Sequence, residues 1–200
     1  FWDTEIFVLP FLVYTNPPLA AHLLRYRYSM LDKARQRARE LSLRGALFPW
    51  RTINGEEASA YWAAGTAQYH IDAAVAYALR KYVQVTGDEE LLWEIGVEIL
   101  IETARMWADL GFHRDGAFHI YGVTGPDEYT ALVDDNAYTN LMAQMNLEYA
   151  VECVQRMRVE RPEQWEALRT RLGGVDSEVE AWRMAAAAMP CWASFFVIRS

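Results

Sequence analysis

Two adjacent carboxylates, Asp127 and Glu128, stand in the stretch Gly122-Val-Thr-Gly-Pro-Asp-Glu-Tyr129. A general acid must be held still at hydrogen-bonding distance from the atom it protonates. Gly125 opens backbone angles closed to other residues. Pro126 fixes φ near −65° and removes an amide donor. A stiff turn with Tyr121 and Tyr129 beside it can therefore hold Glu128 as an acid. Gly-Pro-Asp is equally ordinary surface-turn chemistry, and both readings stay open on this stretch alone.

Other residues could serve a sugar. The indole of Trp2 can stack on the apolar face of a pyranose, and the Asp3 carboxylate can accept from two neighbouring hydroxyls. A core tryptophan next to a helix cap is the plainer reading of that pair. Glu56 and Glu57 lie in an acidic, aromatic loop with Trp50 and Trp62, and are candidate acid–base or substrate-touching groups. His70 falls in an apolar helical stretch and reads as a satisfied core histidine. No cluster has metal-ligand spacing. No phosphate-cradling glycine loop precedes a helix, and no Gly-x-Ser-x-Gly elbow occurs.

The elements that must position these groups read as helices. The first spans Phe1 to Tyr14, capped by Asp3; its apolar residues lie almost all round, so burial is expected. Pro10 marks a kink or break. A second helix runs from about Leu19 to Leu43, a third from Ala63 to Val85 and a fourth, capped by Asp88, to Leu110. Phe112 to Tyr121 reads as a hairpin turning at Asp115-Gly116. A fifth helix follows from Asn136 to Met157, then shorter ones at Pro162–Leu172 and Asp176–Met189, divided by Gly173-Gly174. If the helices alternate in direction, the long loops rich in Trp, Asp and Glu share one face. Acids and tryptophans gathered there are what glycoside cleavage needs.

Composition narrows the classes. Two hundred residues suffice for one domain with a real core. The chain is 52% hydrophobic and 14% aromatic, with eight Trp, which calls for a large packed interior, a sugar-stacking cleft or both. A net charge of −8 argues against nucleic acid or an anionic membrane as partner. Cys153 and Cys191 form no disulfide framework, which suits a reducing cytosol, and we expect a cytoplasmic protein. The apolar runs at Ile6–Tyr14 and Ala185–Ile198 fall short of the roughly 20 residues that cross a bilayer. The chain starts at Phe1 inside an apolar run and reads as a piece of something longer.

Five motifs in register resemble glycoside hydrolase family 65, which holds maltose, trehalose and kojibiose phosphorylases and some trehalose hydrolases. They are Phe1-Trp-Asp-Thr-Glu-Ile-Phe7, Gly45-Ala-Leu-Phe-Pro-Trp50, Thr52-Ile-Asn-Gly-Glu-Glu57, Gly125-Pro-Asp-Glu-Tyr129 and Asn136-Ala-Tyr-Thr-Asn140. The resemblance implies an all-α fold, a partial (α/α)6 barrel of which residues 1–189 supply about the first half, with a short β-hairpin before the catalytic loop. It implies Glu128 as general acid, with Trp2, Asp3 and, less directly, Trp50 holding the glucose whose bond breaks. Glu57 lies in the Thr52–Trp62 loop, where members differ and acceptor choice would be read. The implied reaction is inverting phosphorolysis to β-glucose 1-phosphate. Phosphate is already an anion and needs no general base; a hydrolase would need a second carboxylate about 6.5–9.5 Å away.

The expected partners are a maltose- or trehalose-type disaccharide and inorganic phosphate, with no cofactor and no metal. Neither nucleic acid nor membrane is expected, and a homodimer is expected for the full-length protein. The alternatives are an inverting trehalose hydrolase and a non-catalytic helical module. After Met189 the run Pro190 to Ser200 departs from the family, whose continuation carries His-Pro-Gln-Asp-Asp and Lys-Gln segments, and we expect a frame shift or truncation there. Asp135 stands where the family more often has Asn. The chain alone is expected to be inactive, with helix faces left exposed.

Overall fold

A computed structural model of the chain describes residues 2–59, 67–127 and 131–190. Glu128, Trp62, the expected helix start at Ala63 and the tail from 191 lie outside the described residues.

Among the described residues the longest helix opens on a side-chain cap. Asn136 caps it, its side chain accepting from Thr139 N at 3.0 Å, and α7 then runs Ala137–Glu160. The chain before it builds α1 (Leu9–Thr15), α2 (Pro17–Ser29), α3 (Leu31–Glu40), α4 (His70–Thr86), α5 (Glu89–Leu91) and α6 (Val97–Leu110). After it come α8 (Pro162–Leu172) and α9 (Val175–Ala188). Against α7 pack α4, α6 and α9. Burial of their apolar faces is the main favourable term in holding them together.

Inside that stack α6 is buried along Val97–Trp107, so its polar groups need partners. Trp107 Nε1 donates to Asn146 Oδ1 at 3.1 Å, and Asn146 Nδ2 donates to Thr103 Oγ1 at 3.0 Å. Glu98 accepts from Arg171 at 2.7 and 2.8 Å, Arg35 at 2.6 Å and Tyr28 at 2.7 Å. Burial raises the Glu98 pKa, but the hydrogen bonds from Arg171, Arg35 and Tyr28 outweigh it, leaving the carboxyl below its usual range.

Among the described residues the fold is all-α apart from one hairpin, as expected. Strands β1 (Phe112–Arg114) and β2 (Ala117–His119) pair antiparallel, Phe112 opposite His119. Asp115 and Gly116 turn it with φ of 52° and 83°, the signature of a tight two-residue turn. Asp88 caps as predicted, accepting from Leu91 N at 3.2 Å.

Three expectations fail. The first helix opens as a π turn, Thr4–Val8, before α1, and Asp3 makes no side-chain cap bond to it. Its apolar residues are not all buried: Phe7, Phe11 and Tyr14 are about two-thirds exposed, at 67%, 65% and 66%. The expected single helix from Leu19 to Leu43 is interrupted at Met30, whose φ −95° and ψ −1° lie at the shallow edge of the helical region, between α2 and α3.

Candidate active site

The loop that carries Asp127 and Glu128 leaves and returns at one place. Val123 and Val133 exchange backbone hydrogen bonds at 3.0 and 2.9 Å. Gly122 N donates to Asp134 Oδ1 at 3.0 Å. Asp135 reaches across to the hairpin: its N–H donates to Ile120 O at 2.8 Å, its Oδ1 accepts from Ile120 N at 3.1 Å, and its Oδ2 lies 2.7 Å from His119 Nδ1. The Thr124 hydroxyl donates to Ala131 O across the loop's neck.

Gly125 is needed for a reason other than the one expected. Its φ is not positive. A Cβ there would come within 2.6 Å of Asn136 Nδ2, so glycine lets the loop pass against the cap of α7. The positive φ, 66°, belongs to Gly122 at the loop's entry.

Thr124 N also donates to Ala67 O at 3.1 Å, which fastens the loop's root just before α4. His70, the first residue of α4, lies edge-on to Trp2 with ring centroids 4.8 Å apart and planes at 73°. On its other side Tyr138, in the first turn of α7, lies 5.6 Å away at 82°. The starts of the chain, of α4 and of α7 thus meet through three rings. His70 is core but not satisfied: both ring nitrogens are buried without a hydrogen-bond partner among the described residues. Burial lowers its pKa to about 4, so the ring is neutral near pH 7.

Trp2 and Trp50 are both buried and share one apolar cluster with Phe48, Ile71 and Val75. Asp3, half-buried beside Trp2, makes no cap bond with its carboxylate. Trp50 is held through Glu57. That carboxylate accepts from Trp50 N at 2.7 Å, Arg51 N at 3.2 Å and Ser59 N at 3.0 Å, and from the Ser59 hydroxyl, and pairs with Arg37 at 2.9 Å. Burial alone would raise its pKa; the Ser59 hydroxyl, the Arg37 guanidinium and the backbone donors more than reverse that and hold it below the usual range. A carboxylate held so low gives up no proton near neutrality, so Glu57 works as a staple on the loop. Glu56 is exposed and paired to Lys33 at 3.3 Å.

Sequence reasoning missed Asp72. It is fully buried on α4 and accepts from Phe48 N at 2.8 Å, fixing the strip that leads to Trp50. Burial pushes its pKa well up, against the Phe48 N–H and the Arg37 and Arg27 charges. An Asp two residues after a buried His in an apolar helix was the available signal. Among the described residues no group of three or more His, Cys, Asp or Glu is placed to hold a metal ion.

Residues 1–194 match the glycosyl hydrolase family 65 central catalytic domain. The chain belongs to glycosyl hydrolase family 65. Over 189 residues it is 53% identical to an α,α-trehalose phosphorylase of Thermoanaerobacter brockii, covering 93% of this chain and 24% of that protein. A kojibiose phosphorylase of Halothermothrix orenii is 39% identical over 199 residues, 92% of this chain and 26% of the relative. Among solved structures, a putative kojibiose phosphorylase from the human microbiome superposes with a TM-score of 0.86 at 31% identity, over 95% of this chain and 28% of that one. The chain therefore spans about a quarter of the length of the family 65 relatives it matches. Among the described residues no helix is long and apolar enough to cross a membrane.

Proposed function

We propose that this chain forms the sugar-side wall of an inverting α-glucoside phosphorylase whose donor is α,α-trehalose. Glu128 protonates the glycosidic oxygen as the bond to the anomeric carbon breaks. Inorganic phosphate attacks that carbon from the opposite face, inverting it to β-glucose 1-phosphate and releasing glucose. Trp2, almost wholly buried against His70, backs the glucose subsite, and Asp3 accepts from the sugar's hydroxyls. Trp50 extends the wall, and Glu57 holds the loop behind it. No step needs a redox change or an electrophilic metal, so no cofactor is proposed. The proposed phosphate-side residues belong to the parts of the relatives that this chain does not span, and alone it is expected to release no glucose 1-phosphate.

The observation that carries this reading is the pair of contacts joining the acid-bearing loop to the apolar cluster of Trp2: Thr124 N to Ala67 O, and His70 against Trp2. They tie the root of the loop, at Thr124, to the segment whose His70 packs on Trp2, and this supports reading the two as parts of one site. The greater identity to a trehalose phosphorylase than to a kojibiose phosphorylase supports trehalose as donor.

The test is a chimera in which this chain replaces the matching quarter of the Thermoanaerobacter brockii trehalose phosphorylase. It should release β-glucose 1-phosphate from trehalose only when phosphate is present. Release of two glucose molecules without phosphate would make the protein a hydrolase instead. A folded chimera inactive on trehalose, maltose and kojibiose alike would overturn the reading.

A further inference from the structure

We propose that the π turn Thr4–Val8 and the buried Glu5–Arg27 ion pair form a positioning device for Trp2 and Asp3; this rests on the reading of those two residues as the glucose wall. The π turn is the first observation. Leu9 N–H bonds to Thr4 O, five residues back rather than four, so the turn holds one residue more than an α-helix would. One added residue rotates everything before it by roughly 100° about the helix axis relative to α1. Trp2 and Asp3 lie immediately before it. A regular helix from Thr4 onward would present them at a different angle to His70. Single π turns inside α-helices are uncommon and often mark functional sites; a second one, Leu92–Gly96, joins α5 to α6, and what sets Thr4–Val8 apart is the buried ion pair that holds it.

The second observation is what holds that turn. Glu5 lies inside it, and Arg27 grips its carboxylate at both oxygens, Nε to Oε1 at 2.7 Å and Nη2 to Oε2 at 2.8 Å. Both side chains are almost wholly buried, 3% and 2% exposed. A two-pronged guanidinium–carboxylate contact fixes direction as well as distance. Buried ion pairs contribute little net stability against well-packed apolar side chains. The geometry the pair imposes is therefore its distinctive property. Arg27 also faces the Phe48 ring, 5.9 Å from Cζ to centroid, and Phe48 shares the cluster of Trp2 and Trp50. One guanidinium thus registers the turn before α1 against the strip that leads to Trp50. Glu5 N completes the fold-back by donating to Trp2 O at 3.1 Å.

The test replaces the pair by apolar side chains, Glu5→Met with Arg27→Met, in the full 200-residue chain labelled with fluorotryptophan. The Trp2 fluorine resonance is identified by its loss in Trp2→Phe. With helix content retained by circular dichroism, the Trp2 line should shift and broaden while the lines of Trp107 and Trp182, which belong to the other core cluster, stay in place. A folded double variant with the Trp2 line unmoved would overturn the proposal. If that variant does not fold, Arg27→Lys, which keeps the charge and loses the second prong, should move the same line by less, and no movement would again overturn it. In the phosphorylase chimera the double variant should lower kcat/KM for trehalose by about a hundredfold at unchanged Tm, the scale of a small misplacement of a substrate-holding group. An inactive parent chimera would count against the proposed function and leave the fluorine result to decide the positioning role.

Discussion

His70 and Trp2 meet edge to face, 4.8 Å between ring centroids, and the histidine has no hydrogen-bond partner on either nitrogen among the described residues. The ring is serving as an apolar spacer between the start of the chain and the start of α7.

That spacer makes stability fall on acidification. The folded pKa of His70 is depressed from 6.5 to about 4, so below pH 6.5 the unfolded chain takes up a proton the folded chain refuses. Stability from this group should be full above pH 6.5 and decline between there and pH 4, by roughly 3 kcal/mol. His70→Phe keeps a ring against Trp2 and Tyr138 and should flatten that decline in urea unfolding across pH. An equally steep decline in the variant would refute it.

Glu57 should behave in the opposite chemical sense with the same outward slope. Its depressed carboxyl pKa contributes stability above the unfolded value of about 4.3, lost as pH falls through the folded value. Glu57→Gln places an amide where Trp50 N and Ser59 N donate. It should cost about 1–3 kcal/mol and raise cleavage after Arg51 by trypsin. Unchanged cleavage and stability would show that the staple does not hold the loop.

Asn146 bridges α6 and α7 by accepting from Trp107 and donating to Thr103, all three buried. Asn146→Ala strands both partners and should cost about 2–4 kcal/mol. The midpoint of urea unfolding measures it, and a loss below half that range would contradict the bridge.

Legibility in the sequence followed the reach of the forces. Pro162 and Gly173 bound α8 because their constraints are local, and the Asp115-Gly116 turn set the hairpin for the same reason. The π turn was illegible because its partner, Arg27, lies 22 residues on in sequence. Phe7, Phe11 and Tyr14 read as core because an apolar run does not say which side faces neighbours. The residue types for sugar chemistry, Trp2, Asp3 and Glu128, were visible as motifs. The ties that gather their segments, through His70, Asp72 and Thr124, depend on contacts between distant loops, and periodicity carries no trace of them.

The most direct test of Glu128 as the proton donor is Glu128→Gln in the trehalose phosphorylase chimera. Loss of the acid should cut glucose 1-phosphate release from trehalose by about 10²–10⁴, with Tm and trehalose binding retained. A chimera that keeps its rate with glutamine at this position would contradict the proposed mechanism.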